Sequence, residues 1–185
     1  MLSSTNDVLA NKVKLNLGCG DKILLGYINV DVVESRKGNK PDLLCDITKL
    51  DKFADNSVDE ILTVHVIEHF YYWLLPPVLA EWKRVLRPGG VMITETPNLL
   101  FACQEIMKEP FKAALPNAQM SMWPLFGNPY EEDELMCHHW CFTPQTLGQT
   151  FAEAGFTNIR QEPAEYKLRE PRDFRVVCEK SLERE

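Results

Sequence analysis

Short apolar runs, each closed by a turn signal, divide this chain into strands, and two longer stretches carry apolar residues at helical spacing. Lys14–Leu17, with Leu15 and Leu17 on one side, reads as a first strand that runs into the turn Gly18-Cys19-Gly20. Asp21–Gly26 reads as a loop or a single helical turn, and Tyr27–Asp31 as a second strand ending in an acid. Pro41–Asp46 reads as a third strand, again ending in an acid. After the polar turn Asp55-Asn56-Ser57, Val58–Val66 reads as a β-branched fourth strand. In Pro77–Leu86, residues Val78, Leu79, Trp82, Val85 and Leu86 share one helical face. Pro88-Gly89-Gly90 stops that helix, and Val91–Glu95 begins a fifth strand. Strand, helix and strand in succession imply a parallel βαβ unit.

Beyond Asn98 the pattern weakens. Pro110, Pro116, Pro124 and Pro129 interrupt Asn98–Tyr130, and Met107, Met120, Met122 and Trp123 leave soft apolar surface. A stretch this irregular inside a compact domain predicts a functional insertion, so 98–142 is expected to form a substrate-side insertion or lid within a single domain spanning 1–185. Regularity returns at Thr143, an N-cap followed by Pro144 at the first helical position. Leu147, Phe151 and Ala154 form the buried stripe, and Gly155 ends the helix. Phe156–Gln161 and Phe174–Glu179 read as a closing pair of strands, and residues 1–12 as a loosely held arm.

Composition narrows the function classes. The 185 residues are 45% hydrophobic and 25% charged, enough for one domain with a substantial core. A net charge of −7 speaks against a nucleic-acid surface and against an anionic membrane as partner. Met1–Ala10 lacks the basic start and apolar run of a secretory signal, and the aromatic run Phe70–Leu75 is stopped by Pro76-Pro77. Six scattered cysteines without a Cys-x-x-Cys pair point to reduced thiols in a cytoplasmic protein.

The candidate chemistry begins at the glycine turn. Glycines allow positive φ and close approach of a ligand to the main chain, and ligands of open α/β sheets bind at the carboxyl ends of strands. With Asp31 closing the next strand, the arrangement suits a nucleoside, backbone against the linker atoms and carboxylate on the ribose. Asp31 follows Gly20 by 11 positions, and Lys22 stands where a third glycine would be. A dinucleotide fingerprint wants its acid about 20 residues on.

Two clusters of coordinating side chains stand out. His65-Val66-Ile67-Glu68-His69 matches the zinc-protease pattern H-x-x-E-H, but that motif needs a helix, and His65 ends a strand. Cys137-His138-His139-Trp140-Cys141 offers four ligand types in five residues without the usual zinc spacing or a second pair, so no metal is expected. There Trp140 reads as core, and His138 and His139 as substrate contacts. Glu131-Glu132-Asp133-Glu134 reads as solvated surface, or as a pocket wall favouring a cationic substrate. Phe70-Tyr71-Tyr72-Trp73 reads as core or as a homodimer contact, with a lid over the site as the third reading.

Taken in order, LNLGCG (15–20), GYINVD (26–31), LLCDI (43–47), SVDEILTVHVIEHF (57–70), RVLRPGG (84–90) and TPQTLGQTFAEAGF (143–156) resemble a class I S-adenosylmethionine-dependent methyltransferase of the small bacterial type. The resemblance implies a Rossmann-like, doubly wound α/β fold: a seven-stranded sheet, mostly parallel, with an antiparallel last strand beside the fifth. It implies S-adenosylmethionine as cofactor and S-adenosylhomocysteine as product. At matching positions, Gly18, Cys19 and Gly20 would lie under the methionine part. Asp31, followed by Val32, would take the ribose hydroxyls. Asp46 would take the adenine amino group, with the backbone of Ile47 beside the ring. His65 would border the methionine end and the substrate. Asn16 replaces the family's usual acid and would orient the turn and the cofactor amine without a charge.

Methyl transfer needs alignment, and a base only where the nucleophile arrives protonated. His65, Glu68 and His69 are the candidate catalytic groups, and His138, His139 and Trp140 the candidate substrate contacts. The expected reaction is methyl transfer to a small-molecule O- or N-nucleophile. The alternative is a non-catalytic S-adenosylmethionine-binding module or partner subunit, which an intact cofactor site without an acceptor pocket would favour.

Overall fold

The computed structural model describes residues 12–34, 37–166 and 171–182. The expected arm at 1–12 lies outside them apart from Lys12. The strands are β1 (Lys14–Leu17), β2 (Ile28–Asp31), β3 (Leu43–Leu44), β4 (Val58–Val64), β5 (Leu86–Pro97), β6 (Phe156–Glu162) and β7 (Asp173–Lys180). They form one sheet in the order β3-β2-β1-β4-β5-β7-β6. The pairs β1–β2, β1–β4, β2–β3 and β4–β5 are parallel, and β7 runs antiparallel to both β5 and β6. This is the sheet that the resemblance implies.

Strand alternation sorts the side chains. Leu15, Leu17, Val30, Ile61, Met92, Val176 and Cys178 point to one face and are buried there with Val78, Leu79, Trp82 and Val85 of α1 (Leu75–Val85) and Leu147 and Phe151 of α5 (Pro144–Glu153). Each fully buried side chain of this kind stabilises by roughly 1.5–3 kcal/mol. Trp82 also needs a partner for its indole N–H, and Nε1 donates to the carbonyl of Ile47 at 2.8 Å. That bond ties α1 to the loop after β3. The other face carries Lys14 paired with Glu60 at 3.0 Å and the buried pair Arg175–Glu95 at 2.8 Å.

The N-terminus of α5 forms as expected. Thr143 and Thr146 make a reciprocal capping box, and Gly155 follows with φ +79°. Other expectations need correction. The third strand is only Leu43–Leu44, because it lies at the sheet edge and pairs with β2 alone. The proline-glycine-glycine run does not precede β5 but bulges within it. Val58 pairs with Leu86 while Glu60 pairs with Val91. The segment 98–142 is more regular than its prolines suggest. It holds α2 (Leu99–Lys108), α3 (Pro110–Ala113) and α4 (Met122–Phe126), and Pro110 occupies a helix start, where its missing N–H costs nothing. The ends of the segment meet: Asn98 bridges Phe142, and the N–H of Leu99 donates to the Phe142 carbonyl at 2.8 Å. In the aromatic run only Phe70 packs on the core, against Trp82. Tyr71, Tyr72 and Trp73 are exposed, so the core reading fails for these three.

Candidate active site

The sheet order reverses between β1 and β4, and a cleft of about 950 Å³ opens at the carboxyl ends of the strands there. Its floor is the turn after β1. Gly18 has φ +64°, and a Cβ on it would stand 2.7 Å from one methyl of Val66 and 3.2 Å from the other. Only glycine fits. The N–H of Gly20 donates to Asp31 Oδ2 at 2.7 Å, and the N–H of Val33 donates to Oδ1 at 3.0 Å. Asp31 therefore holds the turn to the end of β2, and each oxygen keeps a second lone pair for a ligand.

Asn16 sits beneath this turn, almost wholly buried, and both its amide N–H groups are used inside the protein. They donate to the Lys22 carbonyl and to Asn29 Oδ1, each at 2.9 Å. The Asn29 amide in turn donates to Asp42 Oδ2 at 2.7 Å. Hydrogen bonds from the Asn29 backbone and side chain hold the Asp42 carboxyl below its ordinary pKa. Asn16 thus positions the turn through a polar chain rather than by charge. Burial, and then the nearby Asp31 carboxylate, push the Cys19 thiol up to about 11. Val32, Asp46 and Ile47 line the cleft beside this floor. Asp46 Oδ1 accepts from the backbone and hydroxyl of Thr48, at 2.9 and 2.7 Å, so its carboxylate is fixed in the loop after β3.

His65 stands just past β4 with φ +56°, a left-handed conformation uncommon outside glycine, and its N–H donates to the Glu95 carbonyl at 2.8 Å. Its ring lies between two carboxylates, Nδ1 3.4 Å from Glu68 and Nε2 3.2 Å from Asp173. The next residues form a single 3₁₀ turn, Ile67–His69, so the H-x-x-E-H segment does not project from one helix. Glu68 is buried behind the cleft wall and does not line it. Thr96 Oγ1 donates to its Oε2 at 2.9 Å. Burial alone would raise the Glu68 pKa, but the surrounding His65, His138 and His69 rings hold it below the ordinary carboxylate range. His69 lines the cleft, and burial lowers its pKa despite the neighbouring Glu68.

The far wall comes from 98–142. His138 and His139 line the cleft, whereas Trp140 does not. Trp140 is 44% exposed and leans on Tyr72 at 4.8 Å, so the expectation that it is core is corrected. His139 stacks on Tyr71 at 4.0 Å, and His138 meets His69 edge-on at 4.7 Å. Glu131 and Glu134 reach the same wall, while Glu132 and Asp133 stay outside it. Sequence reasoning missed Asp173, Tyr166 and Arg172. Asp173 begins the one antiparallel strand, and that topology returns the start of β7 to the edge where β4 ends. An acid at the start of the last strand was the available signal.

Comparison with known proteins agrees with this geometry. Residues 15–94 match a family model described as a methyltransferase domain. A probable S-adenosylmethionine-dependent methyltransferase from Mycolicibacterium smegmatis is 39% identical over 72 residues, which cover 39% of this chain and 23% of the relative. The chain thus matches about a quarter of that relative's length. A solved S-adenosylmethionine-dependent methyltransferase from Methanosarcina mazei superposes with a TM-score of 0.63 at 19% identity, over 95% of each chain. The 1,6-didemethyltoxoflavin-N1-methyltransferase of Burkholderia thailandensis, solved with bound 1,6-didemethyltoxoflavin and S-adenosylhomocysteine, gives 0.59 at 14% identity, over 91% of this chain and 71% of that one. The chain has the class I methyltransferase fold. Residues 15–94, a little under half of the chain, are similar to a methyltransferase domain, and S-adenosylmethionine is the cofactor of that class.

The residues present fit that cofactor. A floor closed to any Cβ at Gly18, carboxylates at the ends of β2 and β3, and a cleft of about 950 Å³ together meet the needs of an aminoacyl nucleoside. Among the described residues no helix is long and apolar enough to cross a membrane.

Proposed function

We propose that this protein transfers a methyl group from S-adenosylmethionine to a small-molecule nucleophile, oxygen or nitrogen, held between the strand ends and the segment 98–142. The observation that carries the reading is the continuity of the cleft. The glycine turn and Asp31 at one end open directly onto His65, His69, His138 and His139 at the other. A binding module would need the first end only, so the catalytic reading is preferred.

In this reading Gly18, Cys19 and Gly20 support the methionine portion, Asp31 and Val32 flank the ribose, and Asp46 and Ile47 flank the adenine. When bound, S-adenosylmethionine supplies an electrophilic methyl on a sulfonium, and the protein's task is alignment. His65, fixed between Glu68 and Asp173, shapes the junction of the two ends. His69 and His138 face the acceptor, and Glu68 backs them from the core. All six cysteines are free, which supports a reducing, cytoplasmic setting.

Calorimetric titration of the purified chain with S-adenosylmethionine and with S-adenosylhomocysteine tests the reading. Each charge-assisted bond from Asp31 contributes roughly 1.5–3 kcal/mol. Asp31→Asn and Asp31→Ala should therefore weaken both ligands by at least about tenfold, with the circular dichroism of the fold retained. Equal affinity in parent and variants would remove Asp31 from the site. No binding by the parent would overturn the cofactor assignment.

A further inference from the structure

The two clusters of coordinating residues singled out in the sequence each contribute part of one site. A carboxylate oxygen of Glu68 and one ring nitrogen each from His69 and His138 lie within 4.8 Å of one another. We propose that Glu68, His69 and His138 bind a divalent transition-metal ion on the acceptor wall of the cleft.

The protonation pattern suits ligation. Nδ1 of His69 lies 3.0 Å from the Cys137 carbonyl, and Nδ1 of His138 lies 3.0 Å from the Pro124 carbonyl. A carbonyl oxygen only accepts, so each Nδ1 carries the proton and each Nε2 keeps the lone pair. Metal-bound histidines are oriented in this way, by donating the other ring N–H to a carbonyl or carboxylate. Glu68 supplies the charge. Its Oε2 is satisfied by Thr96, but Oε1 is buried without a hydrogen bond, with His65 Nδ1 3.4 Å away. Burying an unbonded carboxylate oxygen is costly, and a cation removes that cost.

The backbone holds the ligands in place before any ion arrives. The Glu68 carbonyl accepts from the N–H of His139 at 2.8 Å and of Trp140 at 3.2 Å, which locks the Ile67–His69 turn to the strand-like run carrying His138. His65 is a neighbour of this group and not one of its three members, its Nδ1 3.4 Å from Glu68 Oε1 and its Nε2 3.2 Å from Asp173. Two imidazoles and one carboxylate suit zinc, iron, cobalt or nickel, and three protein ligands leave positions for water or substrate. His69 and His138 line the cleft, so those positions face the acceptor.

One consequence rests on the methyltransferase reading. A metal there would lower the pKa of a bound hydroxyl. The acceptor is then an oxygen nucleophile, best one with a second oxygen donor to chelate the ion, and His69 serves as ligand rather than as base.

The test uses the full chain, stripped with chelator and titrated with cobalt(II) chloride. The expected result is visible d–d absorption saturating at one ion per chain and displaced by zinc chloride. His138→Ala and Glu68→Gln should each weaken cobalt by more than the ~10–100-fold that loss of a supporting partner costs. Calorimetry with S-adenosylhomocysteine on the same variants separates this site from the cofactor site, and the expected affinity for that ligand is unchanged. Should Glu68→Gln fail to fold, His138→Ala carries the test, since His138 lies on the cleft wall and not in the core. Absence of cobalt absorption, or equal affinity in parent and His138→Ala, would overturn the proposal. Loss of the absorption in Cys137→Ser or Cys141→Ser instead would move the metal to the thiols and equally overturn it.

Discussion

Replacing Gly18 by alanine probes the floor of the cleft with two separable effects. The added Cβ would sit in a left-handed conformation, φ +64°, which costs an L-residue roughly 1–2 kcal/mol. It would also stand 2.7 and 3.2 Å from the two Val66 methyls, so rotating Val66 exchanges one clash for the other. Overpacking of this kind costs roughly 1–3 kcal/mol. Gly18→Ala should therefore destabilise by about 2–5 kcal/mol in urea unfolding, with the denaturant slope unchanged. Val66→Ala alone loses packing, at about 0.8 kcal/mol for each buried methylene equivalent. The double variant removes the clash and keeps the backbone strain and the lost Val66 packing. It should be more stable than the sum of the two single losses by about 1–3 kcal/mol. Additivity within about 0.5 kcal/mol would show that Val66 does not press on this turn, and the steric account of Gly18 would fall.

Three further outcomes follow from the same structure. Arg175→Ala removes the buried ion pair between Arg175 and Glu95, and should cost about 3–5 kcal/mol in thermal or urea unfolding; a loss below 1 kcal/mol would mean that the other contacts of Glu95, the backbone N–H groups of Glu165 and Tyr166 among them, suffice. Thr143→Ala removes the capping box of α5 and should cost about 1 kcal/mol, with Thr143→Ser restoring most of it; an equal loss in both variants would argue against the cap. With its pKa raised to about 11, Cys19 is a thiol at neutral pH, so iodoacetamide at pH 7.5 should label the exposed Cys103 and Cys137 while Cys19 stays unmodified until the pH approaches that value. Mass spectrometry reads this directly, and early labelling of Cys19 would contradict its burial.

Local rules carried the sheet and the helix starts. Leu15 and Leu17, Val58 to Val64, and the Thr143-Pro144 start were readable because period and capping chemistry act within a few residues. The glycine turn and Asp31 were readable for the same reason. What the sequence hid depends on distant chain. Glu68 read as a candidate catalytic group, and nothing near it in sequence announces that Thr96 and the His138 region will bury it behind the cleft wall. Trp140 read as core because its size outweighed a context in which Tyr72 reaches it only from the side. The helices of 98–142 were masked by its prolines, of which Pro110 sits at a helix start, where it is tolerated. Asp173 could be paired with His65 only once the antiparallel course of β7 was known.

The bridge between Asn98 and Phe142 bears on how such a domain diversifies. It closes the segment 98–142 at its neck, so everything between is a detour that leaves and re-enters the sheet at one point. The entropy of closing a detour grows only as the logarithm of its length, about 0.6 kcal/mol per doubling. Segments of other sizes can therefore be grafted between the same two residues with little penalty to the sheet or to the glycine turn. On the proposed function, the half of the cleft built by 98–142 is in this sense a cassette, exchangeable at Asn98 and Phe142 while the glycine-turn half stays as it is.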